Sequence, residues 1–382
     1  MEGFCRELFL DNCESIYINK EGNGGKGMDV TDKPANVRQG EELDLKVIER
    51  FLRDNIPGLS GGILVEQFPS GYSNLTYLIH VGDKELVLRR PPFGRKAKTA
   101  HDMGREYRIL KALKPVFPYC PKPLAYTEDE SVLGCPFYVM ERIKGIILRK
   151  TLPKGLELTP DQMRTLCENL LDVHYELHSI DYKAIGLEGF GKPEGYVKRQ
   201  VEGWSDRYRA ALTPDAPAFE KIMQWLHDRM PPDFLKPSVI HNDFKFDNVV
   251  LEPDNPLKIV GVLDWEMATL GDPLMDLGCS LGYWAQSDDP PNFQASGMLP
   301  TNLPGALTRD ELVKRYAEKA GIRINNFDFY FCFGLFRLAV IAQQIYYRFY
   351  HGQTKDERFK SLIFAVHLLE EQANRTMEQS DL

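Results

Sequence analysis

The sequence lacks the paired cysteines and histidines that form common metal and redox sites. Its seven cysteines are scattered through 382 residues, and no two of them form a C-x-x-C pair. It has eight histidines and no H-E-x-x-H motif, so we do not expect a zinc site. His174 and His178 have a metal-like i, i+4 spacing, but no third ligand is evident, which favours a core or capping role. An odd cysteine count in a chain of this length favours a reducing compartment, and we expect an intracellular, cytoplasmic protein.

Positive charge and uninterrupted apolar runs are also scarce. The formal net charge is −8, which argues against nucleic-acid binding through a generally basic surface. The most apolar long stretch, Phe327 to Tyr350, is interrupted by Arg337, Gln343 and Gln344. We therefore expect a buried helix there and no membrane span. The first ten residues carry acids early and show no signal-peptide pattern.

What is present is an ordinary globular composition. With 43% hydrophobic and 27% charged residues in 382, the chain can bury a large core in one two-lobed unit or two domains. Residues 22–27 read Gly-Asn-Gly-Gly-Lys-Gly, and Met28 resembles a second start. We interpret residues 1–40 as a flexible N-terminal extension, of which the first 27 residues lie outside the fold.

The most informative stretch runs from Val239 to Asp276. It contains two apolar runs, Val249–Leu251 and Ile259–Leu263, separated by the turn-forming residues Glu252 to Pro256. This pattern predicts a β-hairpin. Polar residues precede the first strand and follow the second, so the hairpin would bring them to the same region.

These polar residues match the needs of metal-assisted phosphoryl transfer. His241-Asn242-Asp243 is followed by Asn248 at the spacing of the kinase catalytic loop, H-R-D-x-x-x-x-N. Lys245 supplies a cation close to Asp243. Asp264 lies where the metal-binding Asp of D-F-G would lie, although the triplet here is Asp-Trp-Glu. The alternative is a polar hairpin on a globular surface, but the combined spacing favours a catalytic site.

The upstream sequence predicts a small β-sheet. Ile63–Phe68, Leu75–Val81 and Glu85–Arg89 have strand-like patterns. The turn before the second strand contains Ser73 and Asn74, and its N–H groups and the Ser73 hydroxyl could hold phosphate oxygens. Because this turn is not G-x-G-x-x-G, an ordinary hairpin turn remains the alternative.

A cation and an acid follow in the order of a kinase N-lobe. Arg89 ends the strand that corresponds to V-A-I-K, with Arg in place of Lys. Glu106 lies on a predicted helix from His101 to Leu113 and would pair with it. The alternatives are an exposed strand-end arginine and a surface glutamate, and the adjacent Arg90 leaves the register open.

The stretches HNDFKFDN and LDWEMATLGDPLMDLG resemble the aminoglycoside phosphotransferase and choline kinase superfamily, which is related to protein kinases. More narrowly, the chain is similar to the kinase-like domain joined to the dehydrogenase in some acyl-CoA dehydrogenase family members. The resemblance covers about Glu42 to the C-terminus. It implies an α+β, bilobal protein-kinase-like fold, with a small β-rich N-lobe over residues 41–141 and a larger, mostly helical C-lobe over residues 142–382.

The resemblance also implies ATP and Mg²⁺ as cofactors and assigns roles to residues. Asp243 would orient the acceptor hydroxyl and accept its proton, and Lys245 would neutralise charge on the moving phosphoryl group. Asn248 and Asp264 would hold Mg²⁺. The remaining assignments concern the nucleotide: phosphate binding by Arg89, support of Arg89 by Glu106, and adenine contacts from the backbone near Met140, Glu141 and Ile143. Asp272 would be structural, His241 would support the loop, and Glu266 would pack or position, with a metal role left open.

The expected acceptor is a hydroxyl on a small molecule, because the segment after Asp264 lacks an A-P-E signature. The narrower resemblance implies a hydroxyacyl-CoA or a related metabolite. A dehydrogenase partner acting in trans and a homodimer are further expectations. Two alternatives stay open: a catalytically inactive, kinase-like nucleotide-binding or interaction protein, and a protein kinase.

Overall fold

The computed structural model describes residues 34–68, 74–92, 102–234 and 236–382. It has a β-rich part followed by a larger, mostly helical part, which confirms the predicted bilobal α+β fold. The first 27 residues, Ser73 and most of the basic loop after Pro91 lie outside the described residues. Ala35 forms an isolated antiparallel bridge with Gln67, although residues 1–40 were predicted to be a flexible extension.

The β-rich part is a five-stranded antiparallel sheet in the order β1-β2-β3-β5-β4. Its strands are β1 Ile63–Gln67, β2 Leu75–Val81, β3 Lys84–Arg90, β4 Pro123–Thr127 and β5 Phe137–Glu141. The first three agree with the predicted strands to within one residue at each end. Helix α1, Leu45–Asn55, begins at the N-cap Asp44, and its Phe51 ring contacts the Phe137 ring of the sheet edge to face.

Helix α2 lies between the sheet and the hairpin. It spans Met103–Leu113 and begins at Asp102, whose side chain accepts a hydrogen bond from the Arg105 N–H. The Arg105 guanidinium donates to the Ala268 carbonyl and to the Thr269 hydroxyl. Helix α2 is therefore fixed to the segment that follows Asp264. A short helix α3, Glu130–Leu133, precedes β5.

The helical part contains eight further helices among the described residues. They are α4 Pro160–Ser179, α5 Tyr196–Ala210, α6 Glu220–Asp228, α7 Pro273–Leu281, α8 Pro291–Ser296, α9 Arg309–Ala320, α10 Asp328–Tyr350 and α11 Leu362–Gln379. Helices α4 and α9 begin with complete capping boxes, Thr159 with Gln162 and Thr308 with Glu311. Helix α8 lies within the Pro-rich stretch from Ser287 to Pro304.

Helix α10 has the length and hydropathy of a membrane-crossing segment, but 78% of its most apolar window is buried inside the protein. Its crossing with α7 is close because both helices have a glycine at the contact. A Cβ added to Gly278 would lie 2.2 Å from the Tyr330 carbonyl oxygen, and one added to Gly334 would clash with the Gly278 carbonyl oxygen. Helix α10 thus packs as a core helix, as predicted.

Two small β-pairs hold the polar residues of the informative stretch. Strands β6 (Ser238–Ile240) and β9 (Thr269–Gly271) pair, as do β7 (Val249–Glu252) and β8 (Asn255–Val262). The predicted hairpin is therefore present. Its turn is shorter than expected, because Glu252 pairs with Asn255 and leaves only Pro253 and Asp254 in the loop.

Candidate active site

The loop between β6 and β7 brings three predicted site residues into direct contact. Lys245 Nζ lies 2.5 Å from Asp243 Oδ2. The Asn248 amide nitrogen donates to both the Asp243 carbonyl oxygen and its Oδ2 atom, at 2.8 Å each. A 3₁₀ turn at Phe246–Asn248 folds Asn248 back toward Asp243. The short spacing in sequence thus becomes a compact cluster of one carboxylate, one amine and one amide.

Electrostatics keep this cluster charged. Burial disfavours ionisation of Asp243, but Lys245 outweighs burial and holds the pKa of this carboxyl below its usual value. Burial would also lower the pKa of Lys245, yet the Tyr283 oxygen and the carboxylates of Asp243 and Asp247 raise it above the ordinary value. The cluster therefore presents a carboxylate beside an ammonium group at neutral pH.

A second cluster links the sheet, α2 and the end of the hairpin. Arg89 Nη1 lies 2.5 Å from Glu106 Oε1, and Arg89 Nη2 lies 2.9 Å from Asp264 Oδ1. Glu266 Oε2 is 3.5 Å from the same nitrogen. Burial opposes the positive charge of Arg89, but Glu106 and then Asp264 raise its pKa well above the ordinary value. The predicted Arg89–Glu106 pair is present, and Arg89 also contacts Asp264.

Asp264 adopts an unusual backbone conformation. Its φ of 64° and ψ of 64° lie in the left-handed region that non-glycine residues rarely occupy. Strand β8 ends just before it, and a 3₁₀ turn at Trp265–Met267 follows. This sharp change of direction leaves the carboxylate partly exposed, at 37% of its side-chain surface. Such strain is common at functional sites.

Asn74 and Glu266 extend the second cluster. The Asn74 side-chain amide donates to Glu266 Oε2 at 2.6 Å, and Asn74 is buried. The structure therefore places the Asn74 side chain against a carboxylate of the hairpin. Ser73, the other turn residue assigned to phosphate, lies outside the described residues.

Both clusters open into one cavity of about 580 Å³. Its walls include every predicted site residue in the described region except Glu106, namely Asn74, Arg89, Met140, Glu141, Ile143, Asp243, Lys245, Asn248 and Asp264. Glu106 is 2% exposed and lies behind Arg89. One end of the cavity is bounded by the sheet and the β5 connection. The other end is bounded by Trp204, Tyr283, Arg337, Ile341 and Ile345.

Asp276 holds the start of the loop between β6 and β7 in place. It accepts hydrogen bonds from the backbone N–H groups of His241 and Asn242, both at 2.7 Å. His174 and His178 reach its Oδ2 atom at 3.1 and 3.0 Å. These two histidines and Asp276 have the elements of a metal site, but all three are buried and already hydrogen-bonded to protein groups. The geometry therefore fits the core role expected for the histidines.

His241 and Asp272 also form contacts within the protein. The His241 ring nitrogen Nε2 lies 2.9 Å from the Leu263 carbonyl oxygen, which connects the loop between β6 and β7 to the residue before Asp264. Asp272 is the N-cap of α7 and accepts from the Leu274 and Met275 N–H groups. Burial raises its pKa to about 6.

Sequence reasoning missed several residues of this region. Asp276 received no role, although the two histidines that contact it were singled out by their spacing. Arg337 was noted only as an interruption of an apolar run, and that interruption was the one available signal. Tyr283 carried no signal, because its place beside Lys245, with the amine 4.7 Å from the ring centre, depends on the packing of α7.

The oxygen atoms around the cavity suit a magnesium ion. Asn248 offers an amide oxygen, and Asp264 and Glu266 offer carboxylates on the same wall. Asp247 Oδ1 is buried and lies 3.5 Å from Lys245 Nζ, with no other hydrogen-bond partner among the described residues. Mg²⁺ prefers hard oxygen ligands of these types. The residues present therefore fit the metal that phosphoryl transfer requires.

Comparison with known proteins places this cavity in context. Residues 64–298 match the model of the APH phosphotransferase enzyme family. The chain is 36% identical over 322 residues to mouse acyl-CoA dehydrogenase family member 10, covering 83% of this chain and 30% of that protein. It is 33% identical over 338 residues to human acyl-CoA dehydrogenase family member 11, covering 87% and 42%. The chain thus spans less than half the length of these relatives.

Solved structures share the fold. A candidate aminoglycoside phosphotransferase from Ralstonia eutropha has a TM-score of 0.76 and 30% identity, with 89% of this chain and 100% of that chain covered. A choline kinase from Cryptosporidium parvum has a TM-score of 0.57 and 12% identity, covering 87% and 97%. At this identity the second similarity shows the fold alone.

Proposed function

Because the chain belongs to the APH phosphotransferase enzyme family, we propose that it transfers the γ-phosphoryl group of ATP to a hydroxyl group of a small molecule. The observation that carries this proposal is the meeting of two charged clusters in one cavity. Asp243 and Lys245 form one, while Arg89 and Asp264 form the other. This is the arrangement of base, cation and metal-ligand types that phosphoryl transfer uses.

In the proposed reaction, a bond forms between the acceptor oxygen and the γ-phosphorus. The bond between this phosphorus and the β–γ bridging oxygen breaks, and ADP leaves with that oxygen. Asp243 orients the hydroxyl and takes its proton. Its ionised state at neutral pH suits this role. Lys245, held protonated beside Asp243, offsets the negative charge of the phosphoryl group as it moves.

The second cluster serves the nucleotide. Arg89 presents a guanidinium to the α- and β-phosphates and is held in place by Glu106. A guanidinium can bind phosphate through two parallel N–H groups, which makes Arg a suitable replacement for Lys here. Bound Mg²⁺ would supply charge neutralisation for the phosphates. Asn248 and Asp264 would hold it, and the adenine would lie against the β5 connection at Met140, Glu141 and Ile143.

The acceptor proposal is a hydroxyacyl-CoA or a related hydroxylated metabolite. Its support is the similarity to acyl-CoA dehydrogenase family members 10 and 11, of which this chain corresponds to less than half. We also propose that a separate dehydrogenase acts on the same metabolite and that the protein forms a homodimer. An intracellular, reducing location also belongs to this proposal, and the five free cysteines of the described residues support it.

The test is ADP formation from Mg-ATP with a panel of hydroxylated metabolites. The panel contains hydroxyacyl-CoA esters, choline, homoserine and aminoglycosides, and Asp243→Asn is the control. Turnover with one class that is lost in the variant would support the proposal and name the acceptor. If ATP raised the melting temperature but no acceptor were phosphorylated, a catalytically inactive nucleotide-binding protein would replace it. Labelling of a generic protein substrate would favour a protein kinase.

A further inference from the structure

One buried cation in the cavity, Arg337, forms no ion pair with a carboxylate of the described residues. Arg337 of α10 is 4% exposed and lines the cavity together with Asp243. Within residues 34–68, 74–92, 102–234 and 236–382, no carboxylate lies within ion-pairing distance of its guanidinium. Its neighbours include the Cys279 thiol, the side chains of Tyr283 and Tyr196, and the face of Trp204, whose ring centre lies 5.2 Å from the guanidinium carbon. A buried charge without a partner is costly.

The buried Arg89 and the partly buried Arg309 are each paired with carboxylates. Arg89 contacts Glu106 and Asp264. Arg309, at the start of α9, forms a two-pronged pair with Asp289, with both N–O distances at 2.7 Å. The fold therefore has the means to pair a buried guanidinium, but it leaves Arg337 without such a pair at the cavity wall.

The packing fixes Arg337 in this position. Helices α7 and α10 cross closely at Gly278 and Gly334. Cys279 follows Gly278 by one residue and Arg337 follows Gly334 by three, so the crossing brings Arg337 next to Cys279. Trp204 of α5 closes the other side. Asp243 is near enough for Arg337 to influence its ionisation, but Asp243 is already in contact with Lys245 and Asn248. The guanidinium charge therefore faces the end of the cavity bounded by Trp204, Tyr283 and Ile341, which is the acceptor end under the proposed function.

We propose that Arg337 determines acceptor specificity by binding an anionic group, a carboxylate or a phosphate, on the molecule whose hydroxyl meets Asp243. This inference rests on the proposed function and adds the charge of the acceptor to it. A planar guanidinium suits both groups, because it donates two parallel hydrogen bonds to paired oxygens. The bound anion would supply the counter-charge that the protein does not. The site would accordingly reject cationic alcohols by repulsion.

The test compares matched alcohols that differ in charge. Glycerate, glycerol 3-phosphate, glycerol and choline are titrated calorimetrically into the full chain, with Mg²⁺ and a non-hydrolysable ATP analogue filling the nucleotide site. Each is then assayed as an acceptor with Mg-ATP. The wild type should bind glycerate or glycerol 3-phosphate and should bind glycerol and choline more weakly. The stronger of the two anions identifies whether a carboxylate or a phosphate fits.

Three variants locate the preference. Arg337→Met should weaken binding of the preferred anion about 10- to 100-fold, the range expected for loss of hydrogen bonds to a charged group. Arg337→Lys should retain part of the preference, because it keeps the charge without the fork. Arg207→Met is the matched control, since Arg207 also lies over Trp204, at 4.7 Å, but is exposed. Its anion binding should equal that of the wild type.

Several results would overturn the inference. They are equal binding of glycerol and glycerate by the wild type, a preference for choline, and an anion preference that survives in Arg337→Met. If Arg337→Met fails to fold, the wild-type ranking and Arg337→Lys decide alone. Anion binding that depends on Arg337 without any ADP formation would refute phosphoryl transfer but keep the anion site. Turnover confined to neutral or cationic alcohols would keep the transfer and refute the anion site.

Discussion

The two ends of the cavity differ in whether their buried arginine is paired with a carboxylate. At the nucleotide end, Arg89 is held by Glu106 and Asp264, so its geometry is set by the protein before any ligand binds. At the acceptor end, Arg337 is buried beside an aromatic face and lacks a carboxylate partner among the described residues. Under the proposed function, the first arrangement would preorganise the site for the nucleotide. The second would leave a charge available to the acceptor.

Asp243 lies where the two ends of the cavity meet, and its replacement has the largest expected effect on the reaction. Replacing it with Asn keeps the hydrogen-bonding shape but removes the base, so we expect ADP formation to fall roughly 10²- to 10⁴-fold. The measurement is initial rate with the acceptor identified from the panel, with melting temperature as the control for folding. Nucleotide binding should persist, because Arg89 and Asp264 are untouched. A rate within a few-fold of the wild type would contradict the assignment of Asp243 as base.

Replacing Asp276 tests how much a buried, hydrogen-bonded carboxylate contributes to the stability of the fold. Asp276 is fully buried and accepts from two backbone N–H groups and two histidines. Asp276→Asn removes the charge and one acceptor oxygen, so the free energy of unfolding should fall by about 3–5 kcal/mol. Urea denaturation measures it. Asp254→Asn in the exposed hairpin turn is the control and should change stability by less than about 0.5 kcal/mol.

The pH dependence of stability should reveal two opposing buried groups. Burial lowers the pKa of His174 from 6.5 to about 4. Its contribution is therefore complete above pH 6.5 and is lost as the pH falls through about 4. Burial raises the pKa of Asp272 from 3.8 to about 6. Its contribution is complete below pH 3.8 and is lost as the pH rises through about 6.

Over this range the two effects largely cancel in the wild type. Asp272→Asn removes one of them, so stability should then decline with acid more steeply, by on the order of 3 kcal/mol between pH 6.5 and 4. Urea denaturation of both proteins across that range tests it. Parallel curves for wild type and variant would show that Asp272 does not titrate there.

The clustering of Asp243, Lys245 and Asn248 was easier to predict from the sequence than the surroundings of Arg337, and the reason is physical. Asp243, Lys245 and Asn248 lie within six residues, so their chemistry is visible as local spacing, and Asp264 follows one hairpin later. The Arg89–Glu106 pair could be predicted only through the family resemblance. Arg337 meets Trp204 and Tyr283 through a helix crossing that depends on two glycines far apart in sequence. No local pattern in the sequence predicts such a contact.

The smallest expected effect is the change in the free energy of unfolding when Arg337 is replaced. Arg337→Met removes a buried charge that forms no ion pair among the described residues, so none of their carboxylates is left stranded. We therefore expect the free energy of unfolding, measured without ligands, to change by about 1 kcal/mol or less or to increase. Arg309→Met is the matched comparison, because it strands buried Asp289 and should cost about 3–5 kcal/mol. Equal losses in the two variants would mean that Arg337 is held by the protein as firmly as Arg309. Its charge would then serve the fold, and the acceptor end would have to select its ligand by other means.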